Sequence, residues 1–143
     1  MKRLLIACFS IVTMISCKND DVDSDLTAKY VGVWETPSPI NDTEHTWTIE
    51  KTGKNQLKIS ILEHTEFNFE PHVSQTNKTF LIENVEVSNN NNPSFHFEKE
   101  IDDKNYEIGV SLSVNDNKLS AELSSTQKES GTTLGGNLDF VKK

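Results

Sequence analysis

The 143-residue sequence predicts an all-β fold, an antiparallel meander of about eight to ten strands. Three observations lead there. From Tyr30 onward apolar residues recur at every second position, the period of a strand with one buried face. The alternating runs are separated by short clusters of Asn, Asp and Gly, residues that supply the backbone angles of tight turns. Beyond the first 28 residues no stretch keeps a 3.6-residue period, and Asn, Thr and Ser are too frequent to favour helices.

Taken in order, the first strand is Tyr30-Val31-Gly32-Val33-Trp34. Across Glu44–Glu50, His45, Trp47 and Ile49 share one face, while Glu44, Thr46, Thr48 and Glu50 share the other. Leu57, Ile59 and Ile61 form the next run, followed by a Phe67 and Phe69 strand with His64 and His72 beside it as loop residues. Phe80 and Ile82 then occupy even positions and Val85 and Val87 odd ones, with Asn84 between; a bulge or corner there would return both pairs to the core. Phe95, Phe97 and Ile101 follow, then Tyr106, Ile108, Val110, Leu112 and Val114, then Leu119, Ala121 and Leu123, and lastly Leu138 and Phe140. The expected turns are Thr52–Asn55, Asn89–Pro93, Asp102–Asn105, Asn115–Asn117 and Gly135-Gly136. Strands of this number and spacing fit a barrel or a two-sheet sandwich.

Gly32-Val33-Trp34 is a Gly-x-Trp at the start of a β meander, and in that position it resembles the opening strand of lipocalin-like proteins. The pattern extends over most of residues 29–141. The resemblance implies a barrel rather than a β-sandwich, with the Trp closing one end, the Gly permitting close packing, and the other end open to a small apolar molecule. The chain departs from the pattern in being short and in lacking an evident C-terminal helix. On this reading Trp47, His45 and Trp34 are the candidate ligand-binding residues, Trp47 and His45 standing at the pocket mouth. The same aromatics, with Phe67, Phe69, Phe95, Phe97 and Tyr106, equally suit the core of any β domain.

The segment ahead of the strands is an address. Met1-Lys2-Arg3 precedes an apolar run from Leu4 to Ile15, too short for a spanning helix of about 20 apolar residues but suited to a secretory signal. Met14-Ile15-Ser16-Cys17 resembles the lipobox of bacterial lipoproteins, although Met14 replaces the usual Leu. The resemblance implies removal of residues 1–16, acyl chains on Cys17 and anchoring in the outer membrane of a Gram-negative envelope, with display at the cell surface compatible with it. Several chains hold a protein where one does not. Residues 17–28 then read as the lipidated cysteine and an acidic tether, and residues 29–143 as the β domain. Asp21, Asp23 and Asp25 have the spacing that opens a calcium loop, but Leu26 and Gly32 stand where its Gly and Glu are required, so calcium is not expected.

Charge and chemistry narrow the function. The chain carries 14 basic and 22 acidic side chains, a formal −8. Loss of Lys2 and Arg3 with the signal leaves 12 basic and a formal −10, which argues against a nucleic-acid partner. With Cys8 discarded and Cys17 lipidated, the β domain has no thiol for a disulfide, a zinc site or a nucleophile. His45, His64, His72 and His96 lack metal-ligand spacing, and of them His45 alone shares the inward face of Trp47. No serine stands in a nucleophile motif; Ser130–Thr133 reads as a loop. Glu98, Glu100, Asp102 and Asp103 fall on a solvent face or in a turn. No enzyme activity, metal or cofactor is expected. The expectation is a non-enzymatic, lipid-anchored envelope protein that binds a small apolar ligand. The alternative is a surface module with a filled sandwich core and no cavity that recognises another protein; a third reading is a periplasmic inhibitor of a host hydrolase that uses loops such as Asn89–Ser94.

Overall fold

The computed structural model describes residues 25–69, 72–89 and 91–143; the side chains of residues 67–69, 72 and 73 are outside that description, as are the signal segment, Cys17 and residues 18–24. Eight strands follow in order: β1 (Gly32–Glu35), β2 (Thr43–Gly53), β3 (Gln56–Phe69), β4 (His72–Glu86), β5 (Ser94–Ile101), β6 (Lys104–Asn115), β7 (Lys118–Gln127) and β8 (Thr133–Lys142). All are antiparallel to their neighbours in one sheet of order β4-β3-β2-β1-β8-β7-β6-β5. The sheet curls until β1 pairs with β8, through Trp34 opposite Lys142 and Glu35 opposite Val141. The result is a nearly closed barrel, not a sandwich, and no helix occurs among the described residues.

Local chemistry explains most of the turns. Asn41-Asp42 and Asp102-Asp103 each have two successive positive φ angles, the geometry that a two-residue hairpin loop needs to match strand twist. Asn55 and Asp116 place single positive φ angles in the β2–β3 and β6–β7 turns. Asn84 has φ 58° where the β3–β4 register slips, Leu57 facing Val85 but Ile59 facing Ile82. This bulge turns Phe80, Ile82, Val85 and Val87 all toward the core, as the parity change requires.

Three sequence expectations change. Phe67 and Phe69 do not form a separate strand; β3 runs unbroken from Gln56 to Phe69, and His64 and His72 lie in β3 and β4 instead of loops. Thr65, Glu66 and Asn68 supply no turn because each pairs across to β4, opposite Thr76, Gln75 and Val73. Gly135-Gly136 is not a turn but the interior of β8; the chain reverses at residues 128–132, where Gly131 has φ 69°. Folded structure also begins before residue 29. Asp25 hydrogen-bonds Thr27 and pairs with Lys51, the Leu26 amide donates to Asn55 Oδ1 at 3.3 Å, and Thr27 is buried. Asp25 is thereby held at a pKa of about 2 by Lys51 and Thr27.

These residues plug one end of the barrel. Tyr30 and Pro93 are buried there, and Trp34, fully buried, donates its indole N–H to the Tyr30 carbonyl at 2.7 Å. Gly32 has φ 144°, and a Cβ on it would meet the Lys142 side chain at 2.7 Å; the lysine crosses this gap to place Nζ 5.2 Å from the Trp34 ring. Trp47, paired with Trp34 across the β1–β2 ladder, packs tilted against Phe140 at 4.8 Å and Phe95 at 6.1 Å, and Ile49, Leu57, Ile59, Leu112 and Leu119 are buried in the same core.

Because Ala must adopt the left-handed region at the bulge without Asn's short polar side chain, Asn84→Ala should cost about 1–2 kcal/mol, and Asn84→Gly should be near neutral. Urea unfolding of the two variants checks this; equal losses would show that the bulge angle is not what Asn84 provides.

Candidate functional site

The end opposite the plug is open. It is framed by the β1–β2, β5–β6 and β7–β8 connections, whereas the β2–β3, β4–β5 and β6–β7 connections lie at the plugged end. Side chains fill the interior only part of the way up. On β8 the inward alternation set by Phe140 and Leu138 continues to Gly136 and Leu134. A Cβ at Gly136 would meet nothing within 4 Å, and Leu134 is 68% exposed. The upper inner wall is therefore lined but not packed.

On the other side of this opening lies a cleft of about 490 Å³. Its floor carries three polar groups that continue the inward faces of apolar strands. His45 follows Ile49 and Trp47 on β2, Glu63 follows Ile59 and Ile61 on β3, and Lys99 follows Phe95 and Phe97 on β5. Alternation, not loop placement, points them inward. Glu63 is 8% exposed, a depth at which a carboxylate needs a partner. Lys99 Nζ donates to both its oxygens, at 2.8 and 2.6 Å, and stands 5.9 Å from the Phe80 ring. His45 Nδ1 is 3.8 Å from the same carboxylate. Burial pushes the His45 imidazole below its ordinary value near 6.5; Glu63 opposes that shift and Lys99 adds to it. Ile40 and Ile101, 40% and 39% exposed, form apolar lips, and Lys78 stands at the rim.

The sequence-derived candidates separate at this point. His45 lines the cleft. Trp47, 2% exposed, lies in the packed core, and Trp34 seals the plugged end, so neither indole reaches solvent. Cys17 is outside the described residues. Among the other histidines, His96 faces solvent, as alternation implies, and His64 Nδ1 bonds Asn77 Oδ1 at 2.7 Å on the outer face of the β3–β4 hairpin. Glu98 pairs with Lys128 on the outer face. Glu63 and Lys99 were missed. The signal was present, since each is a charged residue at the next inward position of an apolar alternation. What the sequence does not carry is that these two positions, 36 residues apart, meet.

Comparison of the chain with protein-family models, with curated proteins and with solved structures gives no match. The cleft is thus read from its own chemistry.

Two outcomes follow from the cluster. Lys99→Met should destabilise the fold by about 3 kcal/mol, because Glu63 is left buried and alone, while Glu63→Leu combined with Lys99→Met should recover most of that loss; denaturant melts of both variants decide it, and an additive double mutant would refute the coupling. The unfolded chain protonates the His45 imidazole near its ordinary value, whereas the folded chain resists protonation. Below about pH 6.5 the unfolded state therefore binds more protons, and stability should fall as pH drops from 7 toward 5.5. His45→Gln should flatten this slope; an unchanged slope would place its origin elsewhere.

Proposed function

We propose that this chain is a non-enzymatic envelope protein, tethered to the outer membrane through acyl chains on Cys17, whose small lipocalin-like barrel receives a small ligand at its open end. The observation behind the ligand site is the half-filled barrel, packed around Trp34 and Trp47 and lined but unpacked at Gly136 and Leu134. A filled surface module has no reason to leave an inward position on β8 facing open space. The ligand sits in the cleft over His45, Glu63 and Lys99, with its apolar part against Ile40 and Ile101. This differs from an apolar pocket deep in the barrel, because Trp34 and Trp47 occupy that space themselves.

The position of Leu26, Thr27 and Tyr30 at the plugged end is compatible with this anchoring, since a domain held from that end would keep its open end clear of the bilayer.

Both parts are testable on the full chain. Cys17→Ala should move the protein from the membrane to the soluble fraction, and a variant that stays in the membrane would end the lipoprotein reading. Gly136→Leu, which fills open space at a strand position with ordinary φ, should leave the melting temperature near that of the parent but weaken binding of a small-molecule panel, read by tryptophan fluorescence and calorimetry, by at least about tenfold. A panel without a single binder would favour the protein-interaction module in its place.

A further inference from the structure

The Lys99–Glu63 pair sits where a ligand would touch it, and this restricts the ligand's charge. Lys99 gives two hydrogen bonds to one carboxylate, and both side chains are mostly out of water, 20% and 11% exposed. A buried pair of this kind tolerates a new neighbour only if neither charge is stranded, since a lone buried charge costs far more than the pair gains. A purely anionic ligand that takes Lys99 leaves Glu63 without a counter-ion. A purely cationic ligand that takes Glu63 leaves Lys99 without one. His45 does not relieve either loss, because burial keeps its imidazole neutral near pH 7.

A ligand carrying both charges a few bonds apart avoids both costs. Its ammonium replaces Lys99 at the Glu63 carboxylate while its own carboxylate accepts from Lys99 Nζ, so the floor keeps two opposite pairs throughout. The neutral imidazole of His45, 3.8 Å from Glu63, offers one more hydrogen-bonding group. Above the floor the exposed Ile40 and Ile101 suit a short aliphatic body. From this geometry we infer that the mouth cleft selects a small zwitterion with an aliphatic side chain, of the α-amino acid type. The inference rests on the ligand site proposed above and names its ligand class.

Three probes of nearly one shape separate the charge types: leucine, the cationic leucinamide and the anionic N-acetylleucine. In calorimetric titration of the full chain at pH 7.5, leucine should bind at least about tenfold more tightly than either singly charged probe. The double variant Glu63→Leu, Lys99→Met, which strands no charge, should lose that preference while melting near the parent temperature. Leucinamide or N-acetylleucine binding as tightly as leucine would overturn the inference and leave the mouth site standing. So would silence from all three probes if members of the small-molecule panel still bind in a Gly136-dependent way; silence from both sets removes the site as well.

Discussion

A closed ring of eight strands needs eight ladders of backbone hydrogen bonds, and this barrel has seven. Six come from hairpins or sequential neighbours and the seventh from β1 meeting β8, the two ends of the folded chain. Between β4 and β5 no ladder forms among the described residues, and side-chain contacts bridge the two facing strand edges. Unpaired edges are a liability in any sheet. Here Phe80 and Phe97 pack tilted across the gap with ring centroids 4.9 Å apart, and Lys99 reaches from β5 over the Phe80 ring to Glu63 on β3. Much else in the molecule follows from this side-chain closure.

It explains why a carboxylate and an ammonium are placed inside a barrel of otherwise apolar inward residues. An apolar pair could fill the space, but it would not fix the orientation of the upper seam, whereas two donated hydrogen bonds do. The same pair then becomes the floor of the open end. The two side chains that span the seam thus also line the open end, so anything that disturbs them disturbs the seam.

The opposite end is held by a different logic. There the chain before β1 folds back as a plug, with Thr27 and Tyr30 buried and Trp34 bonded to the Tyr30 carbonyl. Asp25 and Lys51 tie the plug to β2. One end is therefore sealed by the residues ahead of β1 and the other left to solvent, which gives the barrel a polarity that a symmetric meander lacks.

Strand identity, the parity change at Asn84 and most turn sites were legible in the sequence, because each depends on residues within a few positions of one another. Alternation places Trp47 and His45 on one inner face whatever their partners, and Asn or Asp at a turn accepts positive φ on its own account. Where local signals were weak the reading slipped: His64 looked like a loop residue and the glycine pair at 135 and 136 like a turn, but both belong to strands because their neighbours supply the ladder. Barrel closure was beyond local reading, since Trp34 pairs with Lys142 more than a hundred residues on. So was the site. The sequence shows Glu63 and Lys99 each facing inward, but only the curl of the sheet across an unpaired seam brings them within hydrogen-bonding distance. It also leaves Gly136 facing open space, because how far a barrel fills depends on all its strands together.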